Sequence, residues 1–250
     1  MASFLVTGAS RGFGLALVRE LVSHPASKVG TVFAAARGSA PALDEIAQKS
    51  SGRVSVVKLD VGDQASIKKA AEQVETKLGG KGLDVLINNA GICHYAFEGV
   101  KSMDKLEESF TINVMAVHWV TSVFLPLLQK GTLKKVINVA ASISQAPART
   151  YLPAPAYKIS KAAMNALTVQ YAIEYEKEGF SFVALCPGWM KTELGGGDSA
   201  DLTPEQSAKA SLDIILDEGQ KYNGKMPKLF VKGWENAEGP NKYDGSITPW

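Results

Sequence analysis

Residues 7–14 read Thr7-Gly8-Ala9-Ser10-Arg11-Gly12-Phe13-Gly14. They follow a short apolar run, Ser3 to Val6, and precede apolar residues that recur at helical spacing from Leu15 to Val22. The pattern predicts a strand, a glycine-rich turn and a helix. Glycines at 8, 12 and 14 permit positive φ and let the backbone approach a pyrophosphate, whose charge the free N–H groups at a helix start stabilise. The placement predicts a dinucleotide-binding turn, with contacts from Gly8, Ser10, Arg11, Phe13 and Gly14.

The second strand, Thr31 to Ala36, ends at Arg37, where a Rossmann unit that prefers NAD carries an acid for the ribose 2′-hydroxyl. Arg37 and Arg11 can instead pair with a 2′-phosphate, because guanidinium groups make bidentate contacts to phosphate oxygens. Either arginine alone is equally compatible with a solvated side chain. Together they favour NADPH over NAD.

Two further strands end in polar residues, at the edge where ligands of parallel sheets bind. Val54 to Leu59 leads into Asp60-Val61, and Asp60 can accept a hydrogen bond from an adenine amine or serve as a turn residue. Asp63 or Ser66 is expected to cap the helix that runs to Leu78. Leu83 to Ile87 leads into Asn88-Asn89-Ala90-Gly91. We expect Asn88 to hold backbone more than ligand, with Ala90-Gly91 leaving room for a ribose.

Tyr157 and Lys161 stand four residues apart, which places them on one face of a helix. Pro153 and Pro155 exclude an earlier helix, and apolar residues recur at helical spacing from Ala162 to Ala172. A free tyrosine has a pKa of about 10 and gives up its proton near neutral pH only where something stabilises the phenolate. A nearby ammonium does this by Coulomb attraction. Tyr157 is therefore the candidate proton donor, and Lys161 is the candidate residue that stabilises its phenolate.

Asn113 lies within an otherwise apolar helix predicted from about Asp104 to Leu128. Asparagine is disfavoured inside helices because its side chain competes for backbone groups, so its presence indicates a bend or a buried water site, with simple packing as an equal alternative. The strand Lys135 to Val139 leads towards Ser142 and Ser144. A serine at this strand end can hydrogen-bond a carbonyl oxygen during hydride addition. The residues alone do not say which serine.

Composition narrows the class of protein. The chain has 250 residues, 46% of them hydrophobic, which suits a single α/β domain. Lys and Arg number 27 against 25 Asp and Glu, which does not favour nucleic acid as a partner. The two cysteines, Cys93 and Cys186, have no metal-ligand spacing, and we expect them to be reduced and no metal to be bound. No apolar stretch of about 18 residues or secretory signal is evident, so we expect a cytoplasmic protein without a membrane span.

With these residues assembled, the chain resembles the short-chain dehydrogenase/reductase family over nearly its whole length. It is most similar to the fungal and bacterial members related to the sniffer-type carbonyl reductases and C-factor. Six ordered motifs carry the resemblance: the glycine turn 7–14, Asp60-Val61, Asn88-Asn89-Ala90-Gly91, Asn113, Tyr157 with Lys161, and Pro187-Gly188 followed by Thr192. The tail from Tyr243 to Trp250 also looks like that of the subgroup.

The resemblance implies a doubly wound α/β Rossmann fold with a mostly seven-stranded parallel sheet in one domain. It implies a catalytic tetrad of Asn113, a serine, Tyr157 and Lys161. Tyr157 would be the general acid in ketone reduction, Lys161 would lower its pKa and bind the nicotinamide ribose, and Asn113 would hold a water in the proton relay. Pro187-Gly188 and Thr192 would position the nicotinamide amide. A homodimer or homotetramer is also expected from the family.

One departure stands out. The family usually has serine three residues after the asparagine of the fifth strand, and here that position is Ala141, preceded by Ala140. We rank Ser142 ahead of Ser144 as the replacement; a third possibility is that no serine is in place. Losing such a donor costs about 2.7–4 kcal/mol of transition-state stabilisation. The alternative function is therefore an NADP(H)-binding protein that does not reduce a substrate: a sensor, a scaffold or a cofactor-assisted cyclase.

Substrate contacts are expected from loops at the carboxyl edge of the sheet, at about 93–100, 143–156 and 189–203. These loops are rich in apolar and aromatic groups, although each of them is equally compatible with packing. The apolar and aromatic residues of these loops are His94, Tyr95, Phe97, Tyr151, Leu152, Trp189 and Met190. The sequence thus predicts that the substrate is a small-molecule ketone or aldehyde with a hydrophobic or aromatic body.

Overall fold

The computed structural model describes residues 1–145, 152–237 and 242–249. Residues 146–151 of the loop expected at 143–156, among them Tyr151, and Trp250 lie outside the described residues. Strands and helices alternate through most of the chain. In order they are β1 (Ala2–Val6), α1 (Gly12–Ser23), β2 (Val29–Ala36), α2 (Pro41–Lys49), β3 (Val54–Lys58), α3 (Gln64–Leu78), β4 (Val85–Asn88), α4 (Leu106–Phe110), α5 (Ala116–Gln129), β5 (Lys135–Val139), α6 (Pro155–Glu174), β6 (Ser181–Leu185), α7 (Pro204–Ile215), β7 (Met226–Pro227) and β8 (Ile247–Thr248).

The six strands β1 to β6 form one parallel sheet in the order β3-β2-β1-β4-β5-β6. The strand order reverses between β1 and β4, so the loops that follow these two strands diverge and leave a crevice between them. The predicted doubly wound Rossmann fold is confirmed. The glycine turn follows β1 and Asn89-Ala90-Gly91 follows β4, which places both at this crevice.

Helices cover both faces of the sheet, and each face has its own buried core. On one face Leu17 and Leu21 of α1 pack with Leu43 of α2 and Leu212 of α7. On the other face α3 and α5 pack against the sheet beside Phe180 and Phe182. Because both faces are covered, the strands read as continuous apolar runs rather than alternating ones. This burial fixes the carboxyl edge of the sheet as the exposed place where a ligand can bind.

Within residues 1–145, 152–237 and 242–249, the parallel sheet has six strands rather than the expected seven. Where a seventh parallel strand would extend the sheet beyond β6, the chain makes one isolated parallel bridge between Cys186 and Lys228. Met226 and Pro227 pair instead with β8 in a short antiparallel ladder. Proline has no N–H to donate, so Pro227 limits the ladder that this segment can make with β6.

The helix predicted from Asp104 to Leu128 forms as α4 and α5, joined by a π-helical turn over Thr111–Met115. Asn113 is at the centre of that turn, so the predicted irregularity is confirmed. The continuous helix 106–129 is long and apolar enough to cross a membrane, judged by length and composition alone. The expectation that the sequence has no such apolar stretch is therefore wrong. Its residues Val120, Phe124 and Leu128 are buried in the core, and core helices of soluble proteins pass the same test.

Candidate active site

A cavity of about 1930 Å³ opens along the carboxyl edge of the sheet. It runs from Arg37 at the end of β2, past the glycine turn, to Tyr157 and Trp189. A pocket for one drug-sized molecule measures roughly 300–1,000 Å³. The cavity therefore has room for a dinucleotide and a second, smaller molecule side by side.

The glycine turn forms one wall of the cavity, and its glycines serve different purposes. Gly8 and Gly12 adopt positive φ, at 65° and 55°, as predicted. Gly14 does not; its role is close packing, because a Cβ there would overlap the Gly8 carbonyl oxygen and approach the Asn89 amide nitrogen. Arg11, the residue before α1, makes no side-chain cap on the helix. The first N–H groups of α1 thus remain available to an anion in the cavity.

The two asparagines at the end of β4 have different roles, and the role of Asn88 is not the one expected from the sequence. Asn88 does not line the cavity, because its amide nitrogen donates to Thr121 Oγ1 at 3.0 Å and to Asn138 Oδ1 at 2.9 Å inside the fold. Its expected backbone-holding contact falls instead to Asn89, whose amide nitrogen donates to the carbonyls of Thr7 and Gly8. Asn89, Ala90 and Gly91 line the cavity. The adjacent identical side chains left the sequence no way to separate the two roles.

Both arginines predicted for a 2′-phosphate line the cavity. Arg37 is exposed at the end of β2. The Arg11 guanidinium forms an ion pair with the carboxylate of Glu193, on the segment that follows β6. Both side chains are more than three-quarters exposed, so the pair itself adds little stability. It nevertheless ties the segment around Glu193 to the glycine turn across the cavity.

Asp60 and Val61 line the cavity at the end of β3. Asp60 Oδ1 accepts from the Gly62 N–H at 2.9 Å, which is the turn contact weighed as an alternative. Its backbone N–H donates to Ser66 Oγ. The helix cap is made by Asp63, whose Oδ1 accepts from the Ala65 N–H. Since a carboxylate accepts several hydrogen bonds, the turn contact leaves Asp60 able to accept another from the cavity.

Tyr157 and Lys161 both line the cavity from the first two turns of α6, as the four-residue spacing predicts. The Lys161 ammonium donates to the carbonyl of Val139, at the end of β5, over 2.6 Å, and lies 5.8 Å from the centre of the Tyr157 ring. Burial lowers the pKa of Lys161 to about 8. Burial also raises the pKa of Tyr157 above its ordinary value. The phenol is therefore protonated at neutral pH, which is the state that a proton donor needs.

Asn113 is fully buried behind the cavity wall rather than on it. Its Oδ1 accepts from the Ile92 N–H at 3.0 Å, and its Nδ2 donates to the Ile92 carbonyl and to Ser160 Oγ. Ser160 in turn donates to the carbonyl of Tyr157. Asn113 thus joins the segment after β4 to the first turn of α6. Sequence reasoning missed Ser160, which has no signal apart from its place between Tyr157 and Lys161.

The two candidate serines lie in different surroundings. Ser142 lines the cavity, on the same wall as Ala140 and Ala141. Ser144 does not: its hydroxyl donates to the Ala141 carbonyl at 2.6 Å and accepts from the Asn165 amide at 2.9 Å. This placement favours Ser142, as ranked from the sequence.

The end of β6 supplies the third side of the cavity, through Pro187, Gly188 and Thr192. Gly188 has a φ of 77°, and a Cβ there would meet Tyr243 and Leu202. Tyr243 accepts from the Trp189 N–H and donates to Asp201, so the C-terminal tail supports this loop. The Thr192 hydroxyl oxygen accepts a hydrogen bond from the Gly195 N–H. The sequence did not predict that Tyr243 supports this loop. Tyr243 was noted there only as the first residue of a tail that looks like the family's.

The end of the cavity farthest from Arg37 is its mouth, and apolar and weakly polar groups line it. Cys93, Tyr95, Leu152, Trp189 and Met190 lie there, and Phe97 and His94 do not line it. His94 Nε2 lies 3.4 Å from Glu108 Oε2. Burial raises the pKa of the Cys93 thiol to about 11, so Cys93 is an uncharged wall residue at neutral pH.

Comparison with known proteins identifies similar chains. The model of the short chain dehydrogenase family matches residues 3–203. The short chain dehydrogenase virK of Hypocrea virens is 34% identical, and the match covers 95% of this chain and 93% of that protein.

Among solved structures, the NADPH-bound carbonyl reductase from chicken fatty liver superposes with a TM-score of 0.84 at 30% identity, covering 100% of this chain and 99% of that one. The carbonyl reductase Sniffer of Drosophila melanogaster superposes with a TM-score of 0.85 at 27% identity, covering both chains completely.

Proposed function

The chain belongs to the short-chain dehydrogenase family of oxidoreductases, and we propose that it is an NADPH-dependent reductase of a ketone or aldehyde with a hydrophobic or aromatic body. One observation carries the proposal: Tyr157, Lys161 and Ser142 line the same cavity as the glycine turn and Arg37. A proton donor, a carbonyl-binding hydroxyl and a dinucleotide cradle thus share one space.

The residues on the cavity wall fit a bound NADPH. The first N–H groups of α1 suit the pyrophosphate, and Asp60 suits the adenine amine. Arg37 is exposed at the end of β2, where the 2′-phosphate of a dinucleotide lies in this fold class. The chicken carbonyl reductase, which binds NADPH, supports the same choice of cofactor. When bound, the cofactor supplies a hydride.

The side chains around Tyr157 account for the rest of the reduction. The Ser142 hydroxyl donates a hydrogen bond to the substrate's carbonyl oxygen and polarises it. Tyr157 transfers its phenolic proton to the same oxygen as the alkoxide develops. The Lys161 ammonium beside the ring stabilises the phenolate that remains, by Coulomb attraction. Asn113 and Ser160 hold the backbone at Ile92 and Tyr157 and so orient the tyrosine.

The cleanest test is a titration of the purified protein with NADPH and NADH, followed by a panel of aromatic and aliphatic ketones and aldehydes. We expect NADPH to bind more tightly and its absorbance at 340 nm to fall only when a carbonyl substrate is added. Tight binding of NADPH without turnover of any carbonyl would contradict the proposal.

That second outcome is what the alternative function predicts. It follows from Ala141, which stands where the family usually carries its serine. An NADP(H)-binding sensor, scaffold or cofactor-assisted cyclase needs the cradle but not the carbonyl-polarising hydroxyl. The position of Ser142 on the cavity wall, one residue further along, favours the reductase.

A further inference from the structure

Two aromatic rings stand at the mouth of the cavity, in the segment that follows β4. The rings of Tyr95 and Phe97 stack with centroids 5.5 Å apart and planes 8° from parallel. Tyr95 is 39% exposed and lines the cavity, whereas Phe97 is 81% exposed and lies outside the lining. The stacked pair therefore continues the cavity wall outward by one ring.

The local chain explains why both rings face the same way. Phe97 begins a turn that the Gly99 N–H closes by donating to the Ala96 carbonyl at 3.0 Å, and this turn places the Phe97 ring against that of Tyr95. Ala96, between the two rings, is buried, and its N–H donates to the Pro153 carbonyl at 2.7 Å. That contact anchors the segment to the residues just before α6. The two rings are thus presented to solvent by a backbone that is tied down.

A second loop completes an apolar rim around the opening. Tyr95 donates its hydroxyl to the Leu194 carbonyl at 3.4 Å, and the Trp189 indole N–H donates to the Gly195 carbonyl at 2.7 Å. The side chains of Trp189 and Leu194 remain 38% and 41% exposed. Single exposed apolar residues are common, but a group of them beside one cavity is typical of a binding surface.

We propose that Tyr95 and Phe97 form an aromatic subsite that binds the distal part of an extended, flat, multi-ring substrate. The inference rests on the proposed function, because it takes the substrate's carbonyl to lie at Tyr157. A molecule that contacts both Tyr157 and Phe97 must extend beyond the cavity lining, so the site would favour an elongated, fused-ring ketone over a compact one. Offset stacking on the exposed face of Phe97 then adds affinity for such substrates over compact ones.

The test compares two methyl ketones that differ in ring number, acetophenone and 2-acetylanthracene. Phe97→Ala removes the exposed ring, and Phe230→Ala is the matched control, because Phe230 is 55% exposed and lies away from the cavity lining. We expect Phe97→Ala to raise the ratio of KM for 2-acetylanthracene to KM for acetophenone about three- to tenfold. Phe230→Ala should leave the ratio at the wild-type value, and an unchanged ratio in Phe97→Ala would overturn the subsite.

Equilibrium binding of 2-acetylanthracene, followed by its own fluorescence, separates the subsite from the reductase proposal. Weaker binding to Phe97→Ala than to wild type supports the subsite even where no carbonyl is reduced. Equal binding to the two proteins, or none to wild type, overturns it even where acetophenone is reduced. Sedimentation with phosphatidylcholine vesicles checks another occupant: vesicle binding that depends on Phe97, with unchanged ketone affinity, would assign the rings to a lipid surface instead.

Discussion

The two ends of the cavity are built in opposite ways. At the cofactor end, partly buried polar contacts hold the wall: Thr7 Oγ1 accepts the N–H groups of both Asn89 and Ala90, and the Asn89 amide donates to the carbonyls of Thr7 and Gly8. At the substrate end, the wall consists of exposed side chains such as Tyr95 and Trp189 on loops. The first end is specified by the backbone and tolerates little change. The shape of the second end depends on side chains, so substitutions there can change which substrates bind without disturbing the backbone.

The largest effect is expected where the two ends meet, at Tyr157. Tyr157→Phe removes only the hydroxyl, so the proton that the developing alkoxide needs has no donor. We expect kcat for ketone reduction to fall about 10²- to 10⁴-fold. The NADPH dissociation constant, measured by fluorescence titration, should change little, because the cradle is unaltered. A variant that keeps its rate would remove Tyr157 from the role of acid.

Ser142 and Ser144 allow a residue on the cavity wall to be compared with a nearby residue outside the cavity. Ser142→Ala should lower kcat about 10²- to 10³-fold, the loss typical of one carbonyl-polarising donor. Ser144→Ala serves as the control, since its hydroxyl bonds to Ala141 and Asn165 outside the cavity and should affect stability more than kcat. Steady-state kinetics of both variants decide the matter. The reverse pattern would mean that Ser144 turns into the cavity when substrate binds.

The cofactor end should be intolerant of a single added methyl group. In Gly14→Ala the new Cβ overlaps the Gly8 carbonyl, which belongs to the backbone and is not free to move aside. We expect a loss of about 1–3 kcal/mol in the free energy of unfolding, measured with urea, together with weaker NADPH binding. Gly38→Ala is the matched control on the same wall, since a Cβ there has no neighbour within 4 Å. Equal stability of the two variants would contradict the packing argument.

The smallest effects concern the two arginines at the cofactor end. Arg37→Ala should reduce the preference for NADPH over NADH about tenfold, in line with the loss of one charge-assisted contact. Glu193→Gln should tighten NADPH binding by about two- to fivefold, because it frees Arg11 from an exposed ion pair. Parallel titrations with NADPH and NADH measure both changes. A Glu193→Gln protein that binds NADPH more weakly would show that Glu193 assists the cofactor rather than competing with it.

The same contrast explains how far the sequence alone could lead. The glycine turn, the Tyr157 and Lys161 pair and the irregularity at Asn113 follow from local spacing and propensity, and the structure has all three. The separate roles of Asn88 and Asn89 depend on which way each side chain points from the end of β4, and two identical neighbours carry no such signal. In the part of the chain that the structure describes, the sheet lacks a seventh strand because Pro227 has no N–H to donate, and Pro227 lies far along the chain from β6, which that strand would join.

Long-range contacts were the hardest to anticipate. The Arg11–Glu193 pair joins residues 182 positions apart. The support of the Gly188 loop by Tyr243 likewise comes from a tail with no periodic pattern. The aromatic pair at the cavity mouth was visible in the sequence only as apolar residues in a loop, because packing and substrate binding favour the same residue types. Only the exposure of Phe97 separates the two interpretations.

In the proposed reaction, this cavity brings NADPH and a substrate carbonyl together so that a hydride passes from the cofactor to the carbonyl carbon. The most direct measurement uses NADPH carrying deuterium at both C4 positions, a ketone that the protein turns over, and mass spectrometry of the product. We expect an alcohol one mass unit heavier than the unlabelled product, with the deuterium on the carbinol carbon. An alcohol without the label, or no alcohol from any carbonyl in the presence of tightly bound NADPH, would contradict it.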